Sequence, residues 1–301
     1  MTNSSLLCPI CGSTHLRERP FQYLFQGRHL IGMGCEHCGA IFLHPQPAPD
    51  ELKKLYDRDY FEGGDFRCGH EGSYCDSSTL QHLAQPDLLA RIKALSPGRR
   101  FLEVGCAGGA LLNSARELGF TVQGVELSED ASRMARETFG VPVFTGELLE
   151  AGFSDGSFDA VYMGDVIEHL SDPVKTLHEI QRILSSGGLL VLDLPSQTNT
   201  LVSRIGFFLY GAVGKRVTAS LPPYHLFEYR PRSIRSLLRR CGFEIVKLRQ
   251  TIISPREINL RGSLPERTGK MVFQYPNWFL TKLFHVCGDR MNVIARRLPR
   301  D

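Results

Sequence analysis

Phe101-Leu102-Glu103-Val104-Gly105-Cys106-Ala107-Gly108-Gly109 runs an apolar stretch straight into a glycine-rich turn, and helix-forming residues follow it. Glycines at the junction of strand and helix let the backbone approach a ligand closely. Working outward, residues 100–104, 121–126, 142–145, 158–163 and 188–194 read as strands, and residues 109–118, 129–138 and 173–184 as helices. Repeated βα units of this length predict a parallel sheet with helices on both faces. Downstream, a helix over 231–241 leads into a strand over 243–250, and a last strand is expected at 291–297. Upstream, Asp50 is expected to N-cap a short helix over 51–56, and a longer helix fills much of 78–95, ending at Ser96-Pro97-Gly98.

The turn after the first of these strands narrows the ligand. Glu126 closes the next strand, 21 residues after Gly105, where an acid can accept hydrogen bonds from both ribose hydroxyls. A dinucleotide site would want glycines in a G-x-G-x-x-G register. Here Ala107 and Ala110 occupy the second and third of those places. Glu103 would also be awkward beside a pyrophosphate, whereas it suits the ammonium of a bound amino acid. The bland alternative is a structural strand–helix turn with no ligand.

Residues 100–195 resemble the core of a class I S-adenosylmethionine-dependent methyltransferase. The resemblance implies a doubly wound, Rossmann-like α/β domain with a mostly parallel seven-stranded sheet. Glu103, Gly105, Cys106, Ala107 and Gly108 fall in the motif that wraps the methionine part of the cofactor. Glu126, with Leu127 beside it, matches the ribose-binding acid. Glu147 and Leu148 match the stretch that contacts adenine, although many relatives carry Asp where Glu147 stands. Ser154 to Asp159 is similar to the turn into the fourth strand. Asp165, in Gly164-Asp165-Val166-Ile167-Glu168-His169-Leu170, falls at that strand's exit near the methyl donor. Ser185-Ser186-Gly187-Gly188 resembles the turn before the fifth strand. The match spans roughly 150 residues, is specific for the cofactor, and says nothing of the acceptor.

Four of the nine cysteines form two knuckles, Cys8-Pro9-Ile10-Cys11-Gly12 and Cys35-Glu36-His37-Cys38-Gly39. Two thiolate pairs on turning backbones can close a tetrahedral zinc site, and a segment with so little core gains folding energy from the metal. The alternatives are a pair of disulfides or a module that no longer binds metal. His15, His29 and His37 read as surface residues, since four cysteines complete the shell. The chain therefore divides into a zinc-ribbon-like module over 1–60, a linker and leading helix over 61–98, and a methyltransferase domain over 99–301. Cap insertions are expected at about 200–225 and 251–290. The ribbon is similar to that of bacterial methyltransferases tied to sugar, polysaccharide or lipid biosynthesis. In those relatives a tyrosine after the ribbon can lie near the cofactor. Tyr74 is the candidate here, with a packing role as the alternative.

Charge is unevenly spread. Residues 1–75 are net −2, residues 76–199 net −8 and residues 200–301 net +13. A basic last third suggests an anionic partner. Segments 200–218 and 275–287 are apolar and aromatic with basic edges, which suits a lid over the acceptor or contact with a membrane surface. No apolar run reaches the roughly 20 residues of a spanning helix, and no signal peptide is expected. The expected location is cytoplasmic, with peripheral membrane contact left open. Asp165, Glu168, His169, Tyr224 and His225 are the candidate bases for deprotonating an acceptor, His169 and His225 foremost, and each could instead cap or pack. The expected activity is methyl transfer to a small-molecule, glycan or lipid-linked acceptor. The alternative is an RNA methyltransferase that grips nucleic acid with the ribbon and the basic end, although the acidic first block lacks a footprint for phosphates.

Overall fold

The computed structural model describes residues 6–53, 85–219, 222–252 and 264–299. Its chain separates into two compact units. One comprises residues 1–46, 193–237 and 247–293, and the other residues 47–192, 238–246 and 294–301.

The second unit carries the parallel core. Strands β4 (Arg100–Val104), β5 (Thr121–Glu126), β6 (Val143–Thr145), β7 (Phe158–Gly164) and β8 (Leu184–Pro195) join β11 (Phe243–Thr251) and β12 (Arg290–Arg297) in one sheet. The order is β11-β12-β8-β7-β4-β5-β6, with β4 paired in parallel to both β5 and β7, and β5 to β6. The chain thus moves outward from β4 in one direction and then in the other, and in such sheets ligands bind beyond the carboxyl ends of the strands at that reversal. The strands are apolar because they are covered on both faces. Phe101, Leu112, Ala135, Ala160 and Val191 are buried in one cluster with Leu89 and Ile92 of the helix Pro86–Leu95. Leu177, Ile180 and Ile183 form the buried stripe of the helix Pro173–Ile183 at helical spacing.

The amino ends of three core strands are tied by one carboxylate. Asp159 at the start of β7 accepts from the backbone N–H of Arg100 at 3.0 Å, from Arg100 Nη2 at 2.7 Å and from Ser185 Oγ at 2.8 Å. These bonds, Arg100 foremost, hold the Asp159 carboxyl down to about 2.

The first unit is built on a second sheet of order β10-β3-β2-β1-β9. Strands β1 (Leu16–Phe25), β2 (Arg28–Cys35) and β3 (Ile41–His44) form an antiparallel meander. The short strand β9 (Val217–Ala219) adds to β1 in parallel, and β10 (Phe227–Glu228) adds antiparallel to β3. Two further helices belong here, Leu201–Ala212 and Leu264–Phe284.

Several boundaries differ from the sequence reading. The helix expected over 51–56 begins at Pro49, and Glu51 reaches back to the backbone N–H of Ala48 at 2.7 Å, so Ala48 rather than Asp50 stands at the cap. Of the helix expected over 78–95, residues 78–84 lie outside the described residues, and the described part is Pro86–Leu95, preceded by a left-handed Gln85 with a proline at the first helical position. Strand β8 starts at Leu184 and absorbs the turn expected at 185–188. The segment 251–290, read as a long connection, contains a 21-residue helix despite Pro276 inside it.

Candidate functional site

The loop after β4 has the geometry of a ligand cradle. Gly105 sits at φ 75° with its N–H bonded to Val125 O at 2.8 Å. A Cβ there would collide with the Val166 side chain, so the position must be glycine on two counts. Ala107 is also left-handed, at φ 44°, and Gly109, at φ 80°, precedes the helix Ala110–Glu117. Gly108 is buried between them.

Glu126, at the end of β5, locks this loop. Its Oε2 accepts from the backbone N–H of Ala107 and its Oε1 from that of Ser128, both at 2.9 Å. Burial raises its pKa, and the bonds from Ser128, Ala107 and Leu127 oppose that rise. Glu103 lies on β4 beside Gly124 of β5 and is buried. Burial, then the Glu126 charge, pushes its carboxyl well above the ordinary range. One of its oxygens, Oε2, has no hydrogen-bond partner among the described residues. A buried carboxylate oxygen without a donor is costly unless a ligand supplies one. A cationic ammonium, as in the amino-acid end of S-adenosylmethionine, matches this oxygen in both charge and donors.

Cys106 contributes differently. Its side chain turns into the core cluster, over the bare Gly124, so only its backbone belongs to the loop. Burial raises its thiol pKa, and Glu103 and Glu126 add to the rise, which makes it a poor nucleophile. Gly146 donates to Glu126 O at 2.9 Å, which places the Glu147–Leu148 turn beside the end of β5. Leu148 is buried, while the Glu147 N–H is taken by Glu150 at 3.0 Å. Tyr74 lies outside the described residues.

At the exit of β7, Asp165 is exposed and left-handed at φ 51°. Glu168 is 1% exposed and lies 3.6 Å from His169 Nε2. In the other unit, His225 Nδ1 lies 3.6 Å from Glu228. His225 and Glu228 line a shallow, open cleft with Phe21, Tyr23 and Leu43.

The cysteine knuckles converge. The sulfurs of Cys8, Cys11, Cys35 and Cys38 all lie within 4.8 Å of one another. Cys8 and Cys38 are 3.7 Å apart and Cys11 and Cys35 3.6 Å, too long for disulfides, which need about 2.05 Å. A tetrahedron with metal–sulfur bonds of about 2.3 Å has edges near 3.8 Å, so the set fits zinc. Both knuckles turn on a left-handed glycine: Gly12 donates to Cys8 O at 2.8 Å and Gly39 to Cys35 O at 2.9 Å. The Cys38 thiol holds Cys8 down to about 5, and the same contact pushes Cys38 up.

Sequence reasoning did not single out the Glu126 bonds to the two turns or the Asp159 tie. It also missed β9, β10 and the helix over 264–284. Two- and three-residue strands carry no readable alternation, and Pro276 argues locally against a helix.

A family profile described as a methyltransferase domain matches residues 78–248. The ubiquinone biosynthesis O-methyltransferase of Xanthomonas axonopodis pv. citri is 30% identical over 186 residues, covering 58% of this chain and 75% of that protein. Its counterpart in Azoarcus sp. (strain BH72) is 27% identical over 168 residues, covering 52% and 70%. Among solved structures, the [4+2]-cyclase SpnF aligns with a TM-score of 0.54 at 20% identity, covering 85% of this chain and 99% of that one. A putative methyltransferase from Bacillus halodurans C-125 aligns with a TM-score of 0.50 at 19% identity, covering 72% and 100%. These structural likenesses speak for the fold alone. The family match, the strand order and the cradle built around Glu103, Gly105 and Glu126 agree, and the chain belongs to the methyltransferase-domain family of S-adenosylmethionine-dependent enzymes.

Proposed function

We propose that the protein methylates a small-molecule, glycan or lipid-linked biosynthetic acceptor. The observation that carries the cofactor half is the buried Glu103 oxygen without a partner, next to a loop whose conformation Glu126 holds open. The acceptor half leans on relatives named for O-methylation in ubiquinone biosynthesis.

S-adenosylmethionine, when bound, would supply an electrophilic methyl that passes in line to the acceptor atom as the carbon–sulfur bond breaks and the neutral thioether leaves. Most of the protein's work is then positioning. Glu103 receives the ammonium, and Gly105, Ala107 and Gly108 offer backbone at close range. Glu126, with Leu127 beside it, takes the ribose hydroxyls, and Glu147 and Leu148 border the adenine. Asp165 stands at the methyl-donor end, with Tyr74 as a further cofactor contact. His169, set against the buried Glu168, takes the proton of a hydroxyl acceptor. His225, set against Glu228, is a second base candidate in the other unit.

Cys8, Cys11, Cys35 and Cys38 hold one structural zinc ion in the ribbon of residues 1–60. The segments at about 200–225 and 251–290 serve acceptor recognition as caps on the domain over 99–301. The RNA reading is not adopted, since residues 1–75 are net −2. No helix among the described residues is long and apolar enough to cross a membrane.

The test is a methyl-transfer screen with phenolic, glycan and lipid acceptors, and with structured RNA as the contrary case. Transfer to one of the first three classes is expected. Methylation of RNA alone would overturn the acceptor reading.

A further inference from the structure

The first unit contains a convergence of guanidinium groups that the methyl-transfer chemistry does not use. Strand β2 is bare at Gly32 and Gly34, two residues apart and so on one face. A Cβ at Gly32 would lie 2.5 Å from the Phe21 ring, and one at Gly34 would collide with the Arg19 guanidinium. Phe21 and Arg19 therefore lie over the same face of the sheet. Phe21 stacks on Phe207 with ring centroids 5.6 Å apart. Arg204 precedes Phe207 by three residues on the same helix, so its side chain emerges on the same flank.

Two of the arginines are anchored by the backbone turn over 197–199. Arg204 donates to Asn199 Oδ1 at 2.7 Å, and Arg230 donates to Thr198 O at 2.8 Å. Asn199 is itself held by Gln250 at 2.6 Å and by Gly288 O at 3.2 Å. The anchoring uses only part of each fork. The Nε–H groups of Arg19 and of Arg230 are both buried without a hydrogen-bond partner among the described residues. Burial, then the Arg204 and Arg19 charges, depresses Arg230 to about 10, against the opposing pull of Glu228. Burial also depresses Arg19, with Arg17 adding to it and Glu36 opposing it. Among the acids, Glu18 pairs with Arg216 and Asp193 with Arg290, while Glu228, beside His225, and Glu36 offset only part of the charge on Arg230 and Arg19.

Three guanidinium groups, with Arg19 and Arg204 repelling Arg230 and two donors orphaned, form a cluster that an acceptor-rich anion would stabilise. A phosphate has three or more oxygens for charge-assisted bonds and suits the planar forks of arginine. We propose that Arg19, Arg204 and Arg230 form an oxyanion site that receives a phosphate or diphosphate group, with the Phe21–Phe207 stack as its apolar wall. The stack also leads to the cleft that His225 and Glu228 line, since Phe21 belongs to both. As a recognition site, it makes the acceptor a phosphorylated one. That clause rests on the acceptor reading above, whereas the oxyanion site itself does not.

The experiment titrates the full-length protein with inorganic pyrophosphate by calorimetry, at low and at high salt. Saturable, salt-sensitive binding is expected. Arg230→Gln and Arg204→Gln should each weaken it about tenfold, the loss of roughly one charge-assisted contact. Arg19→Lys should weaken it less than Arg19→Gln, because the charge remains. S-adenosylmethionine affinity, measured on the same samples, should stay at the wild-type value and so reports folding. Absence of saturable pyrophosphate binding to the wild type, or wild-type binding in both glutamine variants, would overturn the site. Pyrophosphate binding with methyl transfer confined to unphosphorylated acceptors would overturn the recognition clause and leave the anion site standing.

Discussion

Glu126 braces two turns with the same oxygens that the proposed ribose contact would use. In the structure it accepts from Ala107 and Ser128 and so braces two turns, whereas a bound ribose would ask it for further bonds. Replacing it with alanine orphans two backbone donors and, on the proposed role, removes the ribose contacts with them. Hydrogen bonds to a charged group contribute about 1.5–3 kcal/mol each, so Glu126→Ala should weaken S-adenosylmethionine binding by at least about tenfold. Gly105→Arg should abolish it, because even a Cβ collides with Val166 and the backbone is left-handed. Calorimetry with the cofactor checks both, and unchanged affinity in the pair would remove this loop from the site. The identities of Glu103, Gly105 and Glu126 were readable in the sequence because strand-end position and spacing suffice to find them. That Cys106 turns into the core was not readable, since a nine-residue motif does not say which side chains lie inward.

The knuckles and the strand starts make predictions about whole elements. Each knuckle closes on one glycine and two sulfurs, and the module of β1–β3 has a small apolar core. Metal analysis should therefore find about one zinc per chain. A Cys8→Ser/Cys38→Ser double variant should lose it, with the ribbon loosening while the parallel sheet keeps its fold. Full zinc retention in that variant would show that the ligands lie elsewhere. In the sheet, Asp159 ties β4, β7 and β8 through Arg100 and Ser185. Its folded pKa of about 2 lies below the ordinary value of 3.8. The stabilisation is therefore present above about pH 4 and is lost as the pH falls toward 2. Asp159→Asn should cost about 1–2 kcal/mol at pH 7, allowing for the half-exposed Arg100, and should flatten the acid limb between pH 4 and 2. Denaturant titrations at pH 7 and near pH 3 measure it. An equal loss at both values would contradict the ionic account.

Among the described residues, the most exposed large apolar side chains are concentrated in the first unit. Phe208 is 74% exposed, and Leu209, Val213, Phe279, Leu283 and Phe284 are all more than half exposed. They lie on or beside the helices Leu201–Ala212 and Leu264–Phe284, with Lys215, Arg216 and Lys282 nearby. Soluble monomers rarely leave apolar patches of this kind bare, and basic residues beside them suit an anionic bilayer surface. Vesicles containing anionic lipid should carry the protein on flotation, less so at high salt, and neutral vesicles should carry little. Phe208→Ser with Phe279→Ser should reduce flotation severalfold. Equal flotation on neutral and anionic vesicles would refute the electrostatic part.

The doubly wound sheet, the glycine-rich turn after its first strand and the paired cysteine knuckles are legible from residue order alone. Each of these is local: period, strand-end glycines and C-x-x-C spacing repeat within one or two elements and need no distant partner. The remaining features are long-range and emerge only once the chain has folded. The strand at 217–219 exists because β1 offers it an edge, and the one at 227–228 because β3 does. The helix through Pro276 sits in a stretch whose local signals favour interruption. The orphaned guanidinium donors of Arg19 and Arg230 come from segments more than two hundred residues apart. Nothing in either neighbourhood announces a shared site, because charge convergence depends on the path of the chain and not on any residue's neighbours in sequence.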